Sequence, residues 1–186
     1  MHRRRLQLAR LLKLRLGDRF QMFGRGFQEI GDKREAIDGF RYHLAIENTV
    51  DGHYWTEKLA DALLGWALPI YCGAPAAQEY FPGGAFIRLD IGDLNAAVEQ
   101  VVSVLEGDRY QHHLGAIGEA RRRVIEQYSL PAVIARVIHT ERRPQEMRLD
   151  SPATLRPNKE FQPTYAKIDR ILHKWLVSKR FYWPIR

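Results

Sequence analysis

The sequence predicts an α/β fold, a mostly parallel sheet flanked by helices. Two largely apolar runs, Tyr42 to Ile46 and Leu68 to Cys72, read as strands buried on both faces. Segments of helical period alternate with them, most clearly Leu94 to Leu105, where Ala97, Val98, Val101, Val102 and Leu105 recur at helical spacing. Turn residues separate the two kinds of segment: Asp51-Gly52, Gly73 with Pro75, and Pro82-Gly83-Gly84.

Taken in order, residues 3–14 predict a basic helix with Leu6, Leu8, Leu11, Leu12 and Leu14 as its apolar positions, ended by Gly17-Asp18. Phe20 to Phe23 alternates as a short strand, broken by Gly24-Arg25-Gly26. Asp32 can cap a short helix reaching Ile37. Thr56 is placed to cap a helix from Glu57 to about Trp66. A helical turn near Tyr80 follows the second strand, and Ala85 to Leu89 reads as a third. Asp93 caps the Leu94 helix. A longer helix is expected from about Asp108 to Gln127, and Ser129 caps a final core helix with Pro131 in its first turn. Residues 143–164 hold Pro144, Pro152, Pro157 and Pro163 without apolar period and read as a linker. Residues 165–186 form a basic amphipathic tail, with Ile168, Ile171, Leu172, Trp175 and Leu176 on one side.

At 186 residues the chain is long enough for one domain with a real core. Its single cysteine, Cys72, excludes an internal disulfide and suits a reducing compartment, so a cytoplasmic location is expected. No apolar run approaches the roughly 20 residues that span a bilayer. The net charge of +7 is concentrated at the ends: residues 1–25 carry eight Lys/Arg against Asp18, and residues 156–186 carry eight against Glu160 and Asp169. A pI near 9.7 could suit a polyanion. The first segment nevertheless lacks interleaved aromatics and no recognition motif is visible, so nucleic acid is not the expected partner. The seven histidines show no metal-ligand spacing, and no metal is expected.

The chemistry gathers between residues 47 and 58. Glu47 and Asn48 end an apolar strand, and Tyr54, Thr56, Glu57 and Lys58 open the next helix. Open α/β sheets bind nucleotides at this junction of strand ends and helix starts. A first-turn carboxylate such as Glu57 can accept both hydroxyls of a ribose, and an ammonium beside it can neutralise a diphosphate. Equally, Glu57 can simply favour the helix dipole while Lys58 is solvated. Asn48 has a sufficient explanation as a turn residue. Glu47 is harder to dismiss, because a carboxylate at a buried strand end must find partners or water.

The strings Tyr42-His43-Leu44-Ala45-Ile46-Glu47-Asn48-Thr49, Tyr54-Trp55-Thr56-Glu57-Lys58 and Leu68-Pro69-Ile70-Tyr71-Cys72-Gly73 closely resemble the signature of the α1,3/α1,4-fucosyltransferases, glycosyltransferase family 10. Phe81-Pro82 and Phe86-Ile87-Arg88-Leu89-Asp90 continue the match, which covers roughly residues 2 to 110. The resemblance implies a Rossmann-like fold, the C-terminal half of a GT-B glycosyltransferase, and metal-independent, inverting transfer of fucose from GDP-fucose to a glycan hydroxyl. GDP-fucose is then a substrate, and no cofactor is expected. Carried onto this chain, Glu57 becomes a ribose ligand and Lys58 a diphosphate ligand. Asn48, Tyr54 and Glu47 line the donor pocket. Arg5 pairs with the β-phosphate, or Arg4 does if the register slips by one.

The resemblance extends to the donor half alone. Residues 1–142 are expected to be the GDP-fucose-binding domain, without its first strand. The acceptor-binding domain and the general base are expected outside this chain, so no catalytic residue is assigned and no transfer is expected from it alone. A non-catalytic nucleotide-sugar-binding fragment is the alternative. The tail, ending in Lys179-Arg180-Phe181-Tyr182-Trp183, suits either peripheral contact with an anionic membrane or packing on protein.

Overall fold

The computed structural model describes residues 2–24, 26–140 and 183–185. Its centre is a four-stranded sheet in the order β3-β2-β1-β4. Strand β1 (Tyr42–Ile46) pairs in parallel with β2 (Leu68–Cys72), from Tyr42 opposite Leu68 to Ile46 opposite Cys72. Strand β3 (Ile87–Arg88) joins β2 in parallel, and β4 (Trp183–Ile185) lies antiparallel on β1. All ten residues of β1 and β2 are buried, as continuous apolar runs in a covered parallel sheet should be.

Helix α1 (His2–Leu16) places Leu8, Ala9 and Leu12 in the core and packs against α4 (Leu94–Glu106). All five apolar positions expected to face inward on α4 do so, and Asp93 caps it by accepting from the amides of Asn95 and Ala96. Helix α2 (Glu57–Leu64) crosses from β1 to β2, burying Leu59, Ala62 and Leu63 against both strands. Each buried leucine stabilises the fold by about 2 kcal/mol. The helix ends two residues earlier than expected, and Trp66 takes the left-handed region (φ 60°). Its carbonyl accepts from the Tyr110 hydroxyl at 2.6 Å, and the Arg121 guanidinium lies 5.4 Å from its ring centroid. Short helix α3 (Ala77–Tyr80) follows β2. Helix α5 (Tyr110–Arg123) runs into a π-turn, Val124–Tyr128, and then α6 (Leu130–Thr140).

Three expectations need correction. Phe20 to Phe23 forms no strand: both phenylalanines are buried, but the segment is irregular, with an isolated bridge from Phe23 to Gln28. The two buried side chains are three residues apart rather than alternating, and among the described residues the segment joins no strand ladder. The third strand is only two residues long, because the Gly83-Gly84 turn keeps Ala85 and Phe86 outside the ladder. Helix α6 is not a core helix. It buries no residue and leaves Leu130, Ile134, Val137 and Ile138 exposed. The short helix after Asp32 is a 3₁₀ turn, Lys33–Ala36, with a full capping box between Asp32 and Glu35. The predicted linker and most of the amphipathic tail lie outside the described residues. The tail's Trp183–Ile185 is the antiparallel edge strand.

Candidate functional site

The parallel strands deliver their carboxyl ends to one edge of the sheet. Beyond the last β1–β2 pair, the Glu47 amide donates to the Cys72 carbonyl at 2.8 Å, so the ladder continues one step and sets Glu47 beside Gly73. A side chain on Gly73 would collide with the Tyr71 hydroxyl and with Cγ of Glu47. Glycine is therefore required there by close approach.

Glu47 is completely buried. Its Oε1 accepts from the Thr56 amide at 2.8 Å and its Oε2 from the Thr56 hydroxyl at 2.7 Å. The Lys58 ammonium lies 3.2 Å from Oε2. Thr56 is also the N-cap of α2, its hydroxyl accepting from the Lys58 amide at 3.4 Å. One carboxylate at a strand end thus anchors the first turn of the following helix. Lys58 reaches the Thr56 hydroxyl at 3.0 Å and Oε1 of Glu57 at 3.5 Å as well. Its side chain is 13% exposed, whereas that of Glu57 is 38% exposed.

Helix α1 brings its amino end to the same place. Arg5 is buried, and its Nη1 donates to Oδ1 of Asn48 at 2.6 Å. Burial holds the Arg5 guanidinium below its ordinary pKa, and the Glu47 carboxylate opposes that shift. Because Asn48 turns its oxygen to Arg5, its amide nitrogen is directed away from that bond, and Asn48 itself is exposed. Arg4 points elsewhere, donating to the carbonyls of Ile91 at 3.1 Å and Gly92 at 2.7 Å.

Five of the six residues singled out from sequence are therefore neighbours: Arg5 bonds Asn48, and Lys58 bonds Glu47 and Glu57. Tyr54 stands on the loop before α2, 57% exposed, with its amide bonded to the Asp51 carbonyl. Sequence reasoning placed Thr56 in the polar cluster and as a cap, but missed the bonds of its hydroxyl to Glu47 and Lys58. It also missed the packing role of Gly73, whose one signal was a glycine directly after a strand. A third omission is the aromatic group around Trp55, whose ring meets Phe81, Tyr128 and Tyr80 edge-on at 5.1, 5.3 and 5.8 Å. That group ties the entrance of α2 to α3 and to the π-turn. Arg88 fastens the loop after β2, donating to the Pro75 carbonyl at 2.6 Å.

Residues 1–114 match the family model described as glycosyltransferase family 10 (fucosyltransferase), C-terminal part. The chain belongs to this family. Its relatives include the alpha-(1,3)-fucosyltransferase FucT of Helicobacter pylori, 29% identical over 73 residues, which are 39% of this chain and 15% of that protein. Alpha-(1,3)-fucosyltransferase 7 of Bos taurus is 37% identical over 93 residues, 47% of this chain and 27% of that protein. This family 10 chain thus spans well under half the length of the curated relatives it matches. Among solved structures, an alpha1,3-fucosyltransferase with GDP-fucose is similar at 24% identity with a TM-score of 0.42, over 52% of this chain and 28% of that one. Among the described residues, no helix is long and apolar enough to cross a membrane.

Proposed function

We propose that residues 1–142 form the donor-binding part of a fucosyltransferase, holding the GDP portion of GDP-fucose at the carboxyl edge of the parallel sheet. The observation that carries this reading is the meeting of Arg5, Asn48, Glu57 and Lys58, from α1, the end of β1 and the start of α2, around one buried carboxylate. Strand ends and a helix amino terminus on one edge form the arrangement in which an α/β sheet receives a phosphorylated nucleoside.

Within this reading, Glu57 accepts the ribose hydroxyls from the more exposed side of the cluster. Lys58, beside the amino end of α2, neutralises the diphosphate. Arg5 has two roles: it orients the Asn48 amide, and its charge favours the negative charge that collects on the β-phosphate as the sugar leaves. Tyr54 and Asn48 bound the pocket on the loop side. Transfer with inversion needs a base to take the acceptor's proton. None is assigned among these residues, so the chain alone is expected to bind donor without transferring fucose. The donor site requires no metal in this reading, since the diphosphate's countercharges come from Arg5, Lys58 and the helix end.

Calorimetric titration of the full chain with GDP, GDP-fucose and a random DNA duplex tests the proposal. Saturable binding of GDP and GDP-fucose is expected, with Glu57→Ala weakening both by about tenfold or more through the loss of bonds to a charged acceptor. Binding of duplex alone, or GDP binding indifferent to Glu57→Ala, would refute it.

A further inference from the structure

We propose that Glu47 and Thr56 are positioning residues: together they preset the Lys58 ammonium for a diphosphate without touching the ligand themselves. This inference rests on the reading of the cluster as a GDP site. Glu47 is fully buried, so it acts through its partners. The Thr56 hydroxyl has one hydrogen and two lone pairs. Its hydrogen goes to Oε2 of Glu47 at 2.7 Å, and its lone pairs face the Lys58 ammonium at 3.0 Å and the Lys58 amide at 3.4 Å. The hydroxyl is therefore saturated, and its orientation is set by the carboxylate.

Lys58 in turn has three ammonium hydrogens. Glu47 at 3.2 Å and Thr56 at 3.0 Å take two of them on the buried side. The third partner, Glu57 at 3.5 Å, is the longest of the three contacts and lies toward solvent. A phosphate oxygen arriving from that side replaces Glu57 on the third hydrogen, while the Glu57 carboxylate stands on the more exposed side, toward the ribose hydroxyls. A lysine side chain otherwise carries rotamer entropy that a ligand would have to overcome. Fixing it during folding removes that cost from binding. A neutral group in place of Glu47 leaves the ammonium without its buried countercharge, and the side chain becomes free to turn outward.

The test is an NMR titration of the full chain, a method that reads millimolar as well as tight binding, with GDP and with guanosine as probes. The proteins are wild type, Glu47→Gln, Thr56→Val and Thr56→Ser, each checked by thermal melting. The expected result is a loss of GDP affinity of roughly tenfold in Glu47→Gln and Thr56→Val, from one weakened charge-assisted contact. Guanosine, which has no phosphate, should bind all four alike, and serine at 56 should restore GDP binding. Equal losses for GDP and guanosine, or GDP binding by Glu47→Gln at wild-type strength, would overturn the relay while leaving the pocket intact. Should Glu47→Gln fail to fold, serine performing no better than valine at position 56 would overturn it. Wild type that binds neither probe is a different result, and it defeats the GDP reading itself.

Discussion

The two ends of the parallel sheet each carry an acid facing a base, but in different surroundings. At the carboxyl end, Lys58 meets a Glu47 that is entirely enclosed, and Thr56 completes the carboxylate's bonds. At the amino end, Arg41 lies 3.2 Å from Asp108, with the two side chains 59% and 58% exposed, and the Tyr42 hydroxyl approaches Asp108 at 3.3 Å. Distance alone would rank these pairs as equals. Burial separates them, because water screens the exposed pair and leaves little net gain. Removing one member of an enclosed pair strands the other without hydration. A polar cluster that is costly to bury and yet retained at a strand's carboxyl end is the stronger sign of function.

The largest effect that would sharpen this contrast is expected from Glu47→Ala. It removes the acceptor for both the Thr56 amide and the Lys58 ammonium, and should destabilise the fold by about 3–5 kcal/mol in urea unfolding. A loss below 1 kcal/mol would place the two ends of the sheet on the same footing.

His43, the second residue of β1, comes next. It is buried, and burial together with the nearby Lys33 charge lowers its pKa from 6.5 to about 4. The folded protein therefore resists protonation that the unfolded chain accepts. Stability from this group is complete above pH 6.5 and declines as pH falls toward 4, by up to about 3 kcal/mol. Unfolding of His43→Leu measured across that range should show a flatter acid limb.

Gly73→Ala should cost about 1–3 kcal/mol through overpacking against Tyr71 and Glu47, read as a lowered melting temperature. It should also weaken GDP binding, since Glu47 is one of the two neighbours that must shift. The smallest effect belongs to the amino end. Asp108→Asn should change stability by less than about 1 kcal/mol and fade further in salt. A larger, salt-insensitive loss there would break the comparison.

Much of this was readable from local sequence. Strands β1 and β2 announce themselves by unbroken apolar runs, and α4 by five apolar residues at helical spacing, all of which are buried. Asp32, Thr56 and Asp93 were recognisable as caps because a cap acts on amides two or three residues away. Local pattern misled where the outcome depends on a distant partner. Phe20 to Phe23 has the alternation of a strand, but among the described residues it forms isolated bridging and no ladder. Helix α6 has the apolar period of a core helix, yet none of its residues is buried.

For the site, the residue types and their spacing pointed to strand-end and helix-start chemistry, and the family signature named the same positions. Their mutual contacts were not readable. Glu47 and Lys58 are 11 residues apart, and Arg5 and Asn48 are 43 apart. The first closes because α2 starts against the end of β1, and the second because α1 packs beside α4 and carries Arg5 to Asn48.

Propensity, capping and apolar period act over a few residues, so elements and candidate chemistry are properties of the chain read in order. Which carboxylate is enclosed, which ammonium it holds, and which face of a helix meets water depend on groups the chain brings together from far apart. Those relations were settled by packing, because solvent exclusion exists only in the folded molecule.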